Sequence, residues 1–271
     1  MRWIIGDIHG MLSPLTALLS AIGARDAQAR LIFVGDYVNR GPDSRGVIDL
    51  LLSLDNGRFV RGNHDDVFDQ VLNGKSYAGE STEQHRIAAF QWFMQHGLDA
   101  TFMSYGADYA QVEHALRRPT VDALEQLASL VPPAHRAFIR DLPPVIEEPD
   151  LFVAHAKWDP DTPSDAIAAR AGSSDKTRYM LLWGRFTAPE IDRKKRWRQR
   201  GFFGHTPVEN YSIAEDDVMP IVRDDIVLLD TAAALRGDGR LTAACADADE
   251  FLQADRGGNV YANGGGLGGS K

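Results

Sequence analysis

Apolar residues recur along this chain at two spacings, and the switches between them outline its elements. Short runs rich in β-branched and aromatic side chains occupy residues 2–5, 29–34, 58–61, 151–154 and 201–203. Each is too short for a helix and reads as a buried strand. Between the first three runs the spacing becomes helical, with Leu15, Leu18, Leu19 and Ile22, then Val47, Leu50, Leu51 and Leu54, then Val67, Phe68, Val71 and Leu72. Ser13-Pro14 offers a cap and a first-turn proline for the first of these helices, and residues 44–54 supply the second. Strand and helix alternating three times predict a mainly parallel sheet flanked by helices.

Residues 73–150 break the alternation. Segments 83–95, 108–116 and 120–131 carry helical spacing, the last capped by Thr120 and stopped by Pro132-Pro133, so this stretch is expected to be a helical insertion over the strand ends. Its histidines (His85, His96, His114, His135) lie away from strand ends and are expected on the surface or in packing. Its tryptophan and phenylalanines are expected in the core. Strand character returns at Leu151, Phe202, Ile226 and Leu241, suiting a second, more antiparallel sheet packed on the first. The division that follows is a catalytic domain over 1–256 and a flexible glycine-rich tail over 257–271.

Composition narrows the class. At 271 residues, 44% hydrophobic and 25% charged, the chain is long enough to bury a full core without staples. A net charge of -9 argues against a general nucleic-acid binder, which must neutralise phosphates. Cys245 is the single cysteine, which excludes disulfides within the chain and thiolate metal sites. With strand character beginning at Arg2 and no apolar stretch of membrane-spanning length, the expected location is the cytoplasm, away from membranes.

What the strand-like runs lead into is chemical. They are followed by Gly6-Asp7-Ile8-His9-Gly10, Gly35-Asp36-Tyr37-Val38-Asn39-Arg40-Gly41, Gly62-Asn63-His64-Asp65, His155-Ala156 and Gly204-His205-Thr206. Ligands in open α/β sheets collect beyond the carboxyl ends of the strands, so one cleft is expected to gather these groups. Mixed carboxylate, imidazole and amide donors suit hard or borderline divalent cations. Each motif alone is short and common, but five in order, each ending a strand, form a constellation.

At this point the chain resembles the calcineurin-like metallophosphoesterases and, among them, the bacterial and phage phosphoprotein phosphatases. The resemblance implies two packed mixed β-sheets flanked by helices, with a helical cap. It implies two divalent ions, one held by Asp7, His9 and Asp36 and the other by Asp36, Asn63, His155 and His205, with a bridging hydroxide attacking phosphorus in line. Manganese is the expected metal, with iron or zinc also compatible. Arg40 would clamp phosphate, and so would Arg185, from the fainter match Leu182-Trp183-Gly184-Arg185. His64 would protonate the leaving group. Leu229-Asp230-Thr231-Ala232-Ala233 is similar to a late Asp-Thr-Gly strand end. The implied activity is hydrolysis of phosphoserine, phosphothreonine or phosphotyrosine in proteins, or of small phosphoesters.

The chain departs from that pattern where Asn39 replaces an aspartate that orients the histidine, Asp65 replaces a glutamate and Ala232 replaces a glycine. An amide orients His64 but does not stabilise its imidazolium. The related family that cleaves dinucleoside polyphosphates symmetrically also lacks this aspartate, making it the second reading. Tyr37 and the Ser104-Tyr105-Gly106 region favour the first. A metal-binding protein with weak catalysis is a third. Finally, residues 193–200 hold six cations in eight positions, either a solvated face or a rim that steers anionic substrate.

Overall fold

The computed structural model describes residues 1–76, 79–159, 176–194 and 197–264. Its strands are β1 (Arg2–Ile5), β2 (Arg30–Phe33), β3 (Gly57–Phe59), β4 (Lys75–Ser76), β5 (Gly79–Glu80), β6 (Val145–Glu147), β7 (Leu151–Ala154), β8 (Arg200–Phe203), β9 (Ile221–Val222), β10 (Ile226–Leu228), β11 (Leu241–Cys245), β12 (Glu250–Ala254) and β13 (Val260–Gly264). A six-stranded sheet has the order β13-β12-β11-β1-β2-β3 and a five-stranded sheet the order β6-β7-β8-β10-β9. Within these two sheets β1-β2-β3 and β7-β8-β10 pair in parallel, and the remaining neighbours pair antiparallel.

Period-two alternation builds three apolar layers from these strands. Ile4 and Ile32 face Leu151, Val153, Phe202, Val227 and Ala244 between the sheets. Their neighbours Trp3, Ile5, Leu31 and Phe33 face the helices α1 (Leu12–Arg25), α2 (Ser44–Leu52) and α3 (Asn63–Asn73). On the far side Phe152 and Ala154 join Trp158, Trp197 and Phe203.

The two-sheet α/β architecture with flanking helices follows the expectation, but the first sheet is mixed rather than mainly parallel, with two parallel and three antiparallel pairs, and the second, with two of each, is no more antiparallel. Helix α1 begins at Leu12, so Ser13 and Pro14 lie inside its first turn. The strand at Leu241 belongs to the first sheet, pairing antiparallel with β1, because alternation specifies that a strand exists without specifying its neighbour. Part of the expected flexible tail is ordered: β13 pairs with β12 through Leu252↔Ala262, and residues 265–271 lie outside the described residues. Among the described residues, no helix is long and apolar enough to cross a membrane.

The insertion contains α4 (Glu83–Met94), α5 (Leu98–Ser104), α6 (Tyr109–Arg117), α7 (Val121–Ala128) and α8 (Pro133–Asp141). Thr120 caps α7 as expected, its hydroxyl accepting from Ala123 N. The phenylalanines Phe90, Phe93 and Phe102 continue the helix-facing core. Trp92 does not, and keeps 47% of its surface exposed.

Candidate metal centre

Asp7, His9, Asp36, Asn63, His64 and His155 are buried, and His205 is partly so. They converge as the strand ends imply. Asp36 lies between two groups of donors: its Oδ2 is 3.4 Å from His9 Nε2 and its Oδ1 is 3.4 Å from His155 Nε2. Donor atoms within 4.8 Å of one another form the groups His9, Asp36, His64 and Asp7, Asp36, His155. Asp7 and His155 thus have donor atoms within 4.8 Å of each other and of Asp36.

The backbone is bent to achieve this. His9, Asp36, Asn39, Arg40, His205 and Ala232 all have left-handed φ, between 48° and 72°. Such conformations cost non-glycine residues about 1–2 kcal/mol, less for Asn and Asp, and cluster where geometry serves chemistry. Ala232 holds at φ 58° a position that a glycine would occupy without that cost. Close approach explains two glycines: a Cβ at Gly204 would overlap Asp7 Oδ1, and one at Gly62 would overlap Asp36 Oδ1.

The donor set fits cations. His9 Nδ1 donates to Val38 O at 2.9 Å and His155 Nδ1 to Val34 O at 3.0 Å, leaving each Nε2 as a lone pair facing the cleft. That lone pair of His155 meets Asn63 Oδ1 at 2.9 Å, so two electron-rich atoms face each other in a buried place. Asn63 Oδ1 also accepts from His205 Nδ1 at 3.0 Å. Asp7 Oδ1 and His205 Nε2 are buried with no hydrogen-bond partner. Burial pushes the Asp7 and Asp36 carboxyls well above their ordinary range, helped by their mutual repulsion with nearby carboxylates. It pushes His9, His64 and His155 well below theirs, and His205 down to about 4. Positive charge in the cleft would relieve the carboxylates without protonating them, beyond the backbone bonds they accept from His205 and His64.

His64 sits apart in function. Its backbone N–H donates to Asp36 Oδ1 at 3.0 Å, while its Nδ1 lies 2.8 Å from Asn39 Nδ2. Asn39 is held by Thr101, which donates to Asn39 Oδ1 at 2.8 Å and accepts from Asn39 N at 2.8 Å. With its carbonyl oxygen taken by a hydroxyl proton, the amide presents N–H to His64 Nδ1, while Nε2 faces the Arg40 guanidinium. Thr101 and Ser44, which completes this network at 3.1 Å, were not foreseen. His96 is a half-buried packing residue as expected, and its packing places its ring 6.3 Å from that of His64.

Arg40 Nη1 donates to His9 Nε2 at 2.6 Å and Nη2 lies 3.2 Å from His64 Nε2. Arg185 is exposed, and its charge helps hold the His205 pKa down. Asp65 ties the Asp36 loop to α3: Oδ2 accepts from Asp36 N at 2.8 Å and Gly62 N at 2.9 Å, and Oδ1 from Tyr37 N at 3.0 Å. Burial nevertheless raises it to about 6. Asp230, buried near Asp7, accepts from Ala232 N at 3.0 Å through Oδ1, and its Oδ2 has no partner. In the basic run, Arg193 pairs with Asp225 at 3.1 Å and lies over Trp197, Lys194 is exposed, and residues 195–196 lie outside the described residues.

Two curated relatives are each a symmetrical bis(5'-nucleosyl)-tetraphosphatase. That of Ralstonia nicotianae is 52% identical over 64 residues, 22% of either chain. That of Coxiella burnetii is 48% identical over 87 residues, 32% of this chain and 29% of its own. The matches thus span under a third of those relatives. Among solved structures, a protein provisionally assigned as a diadenosine tetraphosphatase shares the fold at TM-score 0.53 and 22% identity, covering 98% of this chain and 94% of its own. A cold-active protein-tyrosine phosphatase from a Shewanella species follows at TM-score 0.51 and 14% identity, over 96% and 79%. The phosphoprotein-phosphatase expectation is overturned by the sequence relatives. The residues that favoured it are structural: the Tyr37 hydroxyl donates to Val60 O inside the core, and the Tyr105 hydroxyl bonds buried His135. The model of the calcineurin-like phosphoesterases matches residues 2–209, and the chain belongs to that family.

Proposed function

We propose that this chain hydrolyses dinucleoside polyphosphates symmetrically. The observation that carries the reading is the amide on His64. A buried, neutral imidazole fed by an N–H donor is a weak proton source, so the site suits a leaving group that needs little protonation. A nucleoside diphosphate leaving from a phosphoanhydride is such a group, and a serine alkoxide is not. The curated relatives support the same substrate class.

In this reading Asp7, His9, Asp36, Asn63, His155 and His205 would hold two divalent cations, with Asp36 placed between the two groups of donors. When bound, the ions supply a nucleophile at neutral pH and neutralise charge on the phosphoryl oxygens. Arg40, whose guanidinium faces His9 and His64, would bind the phosphate with its planar fork, together with Arg185. His64 offers its Nε2 proton to the departing oxygen, and Asn39 and Thr101 fix the imidazole's orientation.

The test is to incubate manganese-loaded protein with diadenosine tetraphosphate and separate the products. Two molecules of ADP per substrate are expected. AMP with ATP, or no cleavage by a preparation that turns over an aryl phosphate, would overturn the reading.

A further inference from the structure

We propose that Trp92 and Trp183 form a stacking platform for one nucleobase of the substrate, an inference that rests on the dinucleoside reading. Trp92 lies on α4, and Trp183 ends the helix Lys176–Trp183. Their rings stack at 5.4 Å with 23° between planes. Trp183 meets His205 edge-on at 6.1 Å. Through Phe93, which packs against Trp92 at 5.0 Å and against His64 at 4.9 Å, the pair also adjoins the other side of the cluster. Two indoles thus run outward from the candidate metal centre, and the outer one is 47% exposed.

An indole placed for burial would not expose half its surface, and one merely tolerated on the surface would not have its plane fixed from three sides. Phe93 and His96 meet Trp92 edge-on, at 86° and 87°, while Trp183 covers one face. What is presented is a flat, rigid π surface beside a phosphate-handling cleft, with Arg185 two residues beyond Trp183 in the chain. Every base has a π face, so stacking recognises a nucleoside without reading which one. From His205 the rings run 6.1 Å to Trp183 and a further 5.4 Å to Trp92, so a base stacked on the outer indole would belong to a substrate whose phosphates lie at the cluster.

The experiment compares kcat/KM for diadenosine tetraphosphate and for base-free inorganic tripolyphosphate in manganese-loaded parent, Trp92→Ala and Trp92→Phe. Removing one base–aromatic stack should lower the dinucleotide-to-tripolyphosphate ratio about tenfold or more in Trp92→Ala, and Trp92→Phe should restore most of it. An unchanged ratio would overturn the platform, whether or not absolute rates fall. Should the parent cleave tripolyphosphate but no dinucleotide, the functional reading fails by itself. The platform is then decided by calorimetric affinity for ADP against pyrophosphate: loss of the parent's preference for ADP in Trp92→Ala sustains it, and equal preference overturns it.

Discussion

Replacing Asn39 by aspartate changes one buried atom and should change which leaving groups the site tolerates. Asn39 Oδ1 keeps the Thr101 hydroxyl proton at 2.8 Å, so the new carboxylate oxygen takes the place of Nδ2, 2.8 Å from His64 Nδ1. There it accepts an Nδ1–H that the amide repels. Burial, with the neighbouring His9 and Arg40, holds His64 well below its ordinary pKa in the parent. An opposite charge at this range raises a base by about 1–3 pKa units. Above both values, the protonated fraction rises by the same factor, about ten- to a thousandfold. A leaving group that needs a proton receives that gain, and a nucleoside diphosphate receives little of it. The backbone offers no obstacle, since Asp accepts the φ of 72° at this position about as well as Asn. The assay is kcat/KM against pH for diadenosine tetraphosphate and for an alkyl phosphate, with the same metal loading. The alkyl-to-dinucleotide ratio should rise about tenfold or more, and the alkaline limb should move up by about 1–3 units. An unchanged ratio with an unchanged limb would refute the reasoning: the proton on His64 would not be limiting, or the imidazole would take its support elsewhere.

Asp36→Asn should lower occupancy of both metals by elemental analysis, whereas Asn63→Ala should lower one; equal retention in Asp36→Asn would remove Asp36 from the shared position. Arg185→Lys should cut kcat/KM about tenfold by losing the bidentate fork, with an unchanged melting temperature because the residue is exposed. Thr101→Val, which strips the buried Asn39 amide of its partner, should cost about 1–3 kcal/mol in urea unfolding, with Thr101→Ser recovering most of it. In metal-free protein, His205 has its pKa depressed to about 4, so its contribution to stability is full above an unfolded value of about 6.5 and is lost as pH falls toward 4. The parent should lose up to about 3 kcal/mol more than His205→Asn across that window, measured by urea unfolding.

The strand ends were legible because each motif is local: an apolar run stopping at glycine and a polar donor places that donor at the rim whatever the rest of the chain does. Thr101 was not, since its partner lies 62 positions away and α5 is a short helix with no recognisable motif. The same holds for His96, whose proximity to His64 depends on how the insertion docks. Partner choice in the sheets was equally hidden: Leu241 read as a strand, but pairing Trp3 with Cys245 is a tertiary outcome. Glycine content masked the β-branched and aromatic pair Val260-Tyr261, which is enough for an edge strand once β12 offers a template. Trp92 was misread because hydrophobicity alone does not tell a core residue from a surface built for contact.

The left-handed residues carry a consequence for how this protein tolerates change. Five of the six (His9, Asp36, Asn39, Arg40 and His205) lie in the candidate site, where glycine would adopt the same φ at lower cost. Selection for folding alone would therefore loosen its hold on these side chains, least at Asn39 where the buried bond to Thr101 opposes it, and a variant library ranked by thermal survival would enrich inactive members. Stability and activity scores should run in opposite directions there, and that opposition marks the site without any knowledge of the substrate.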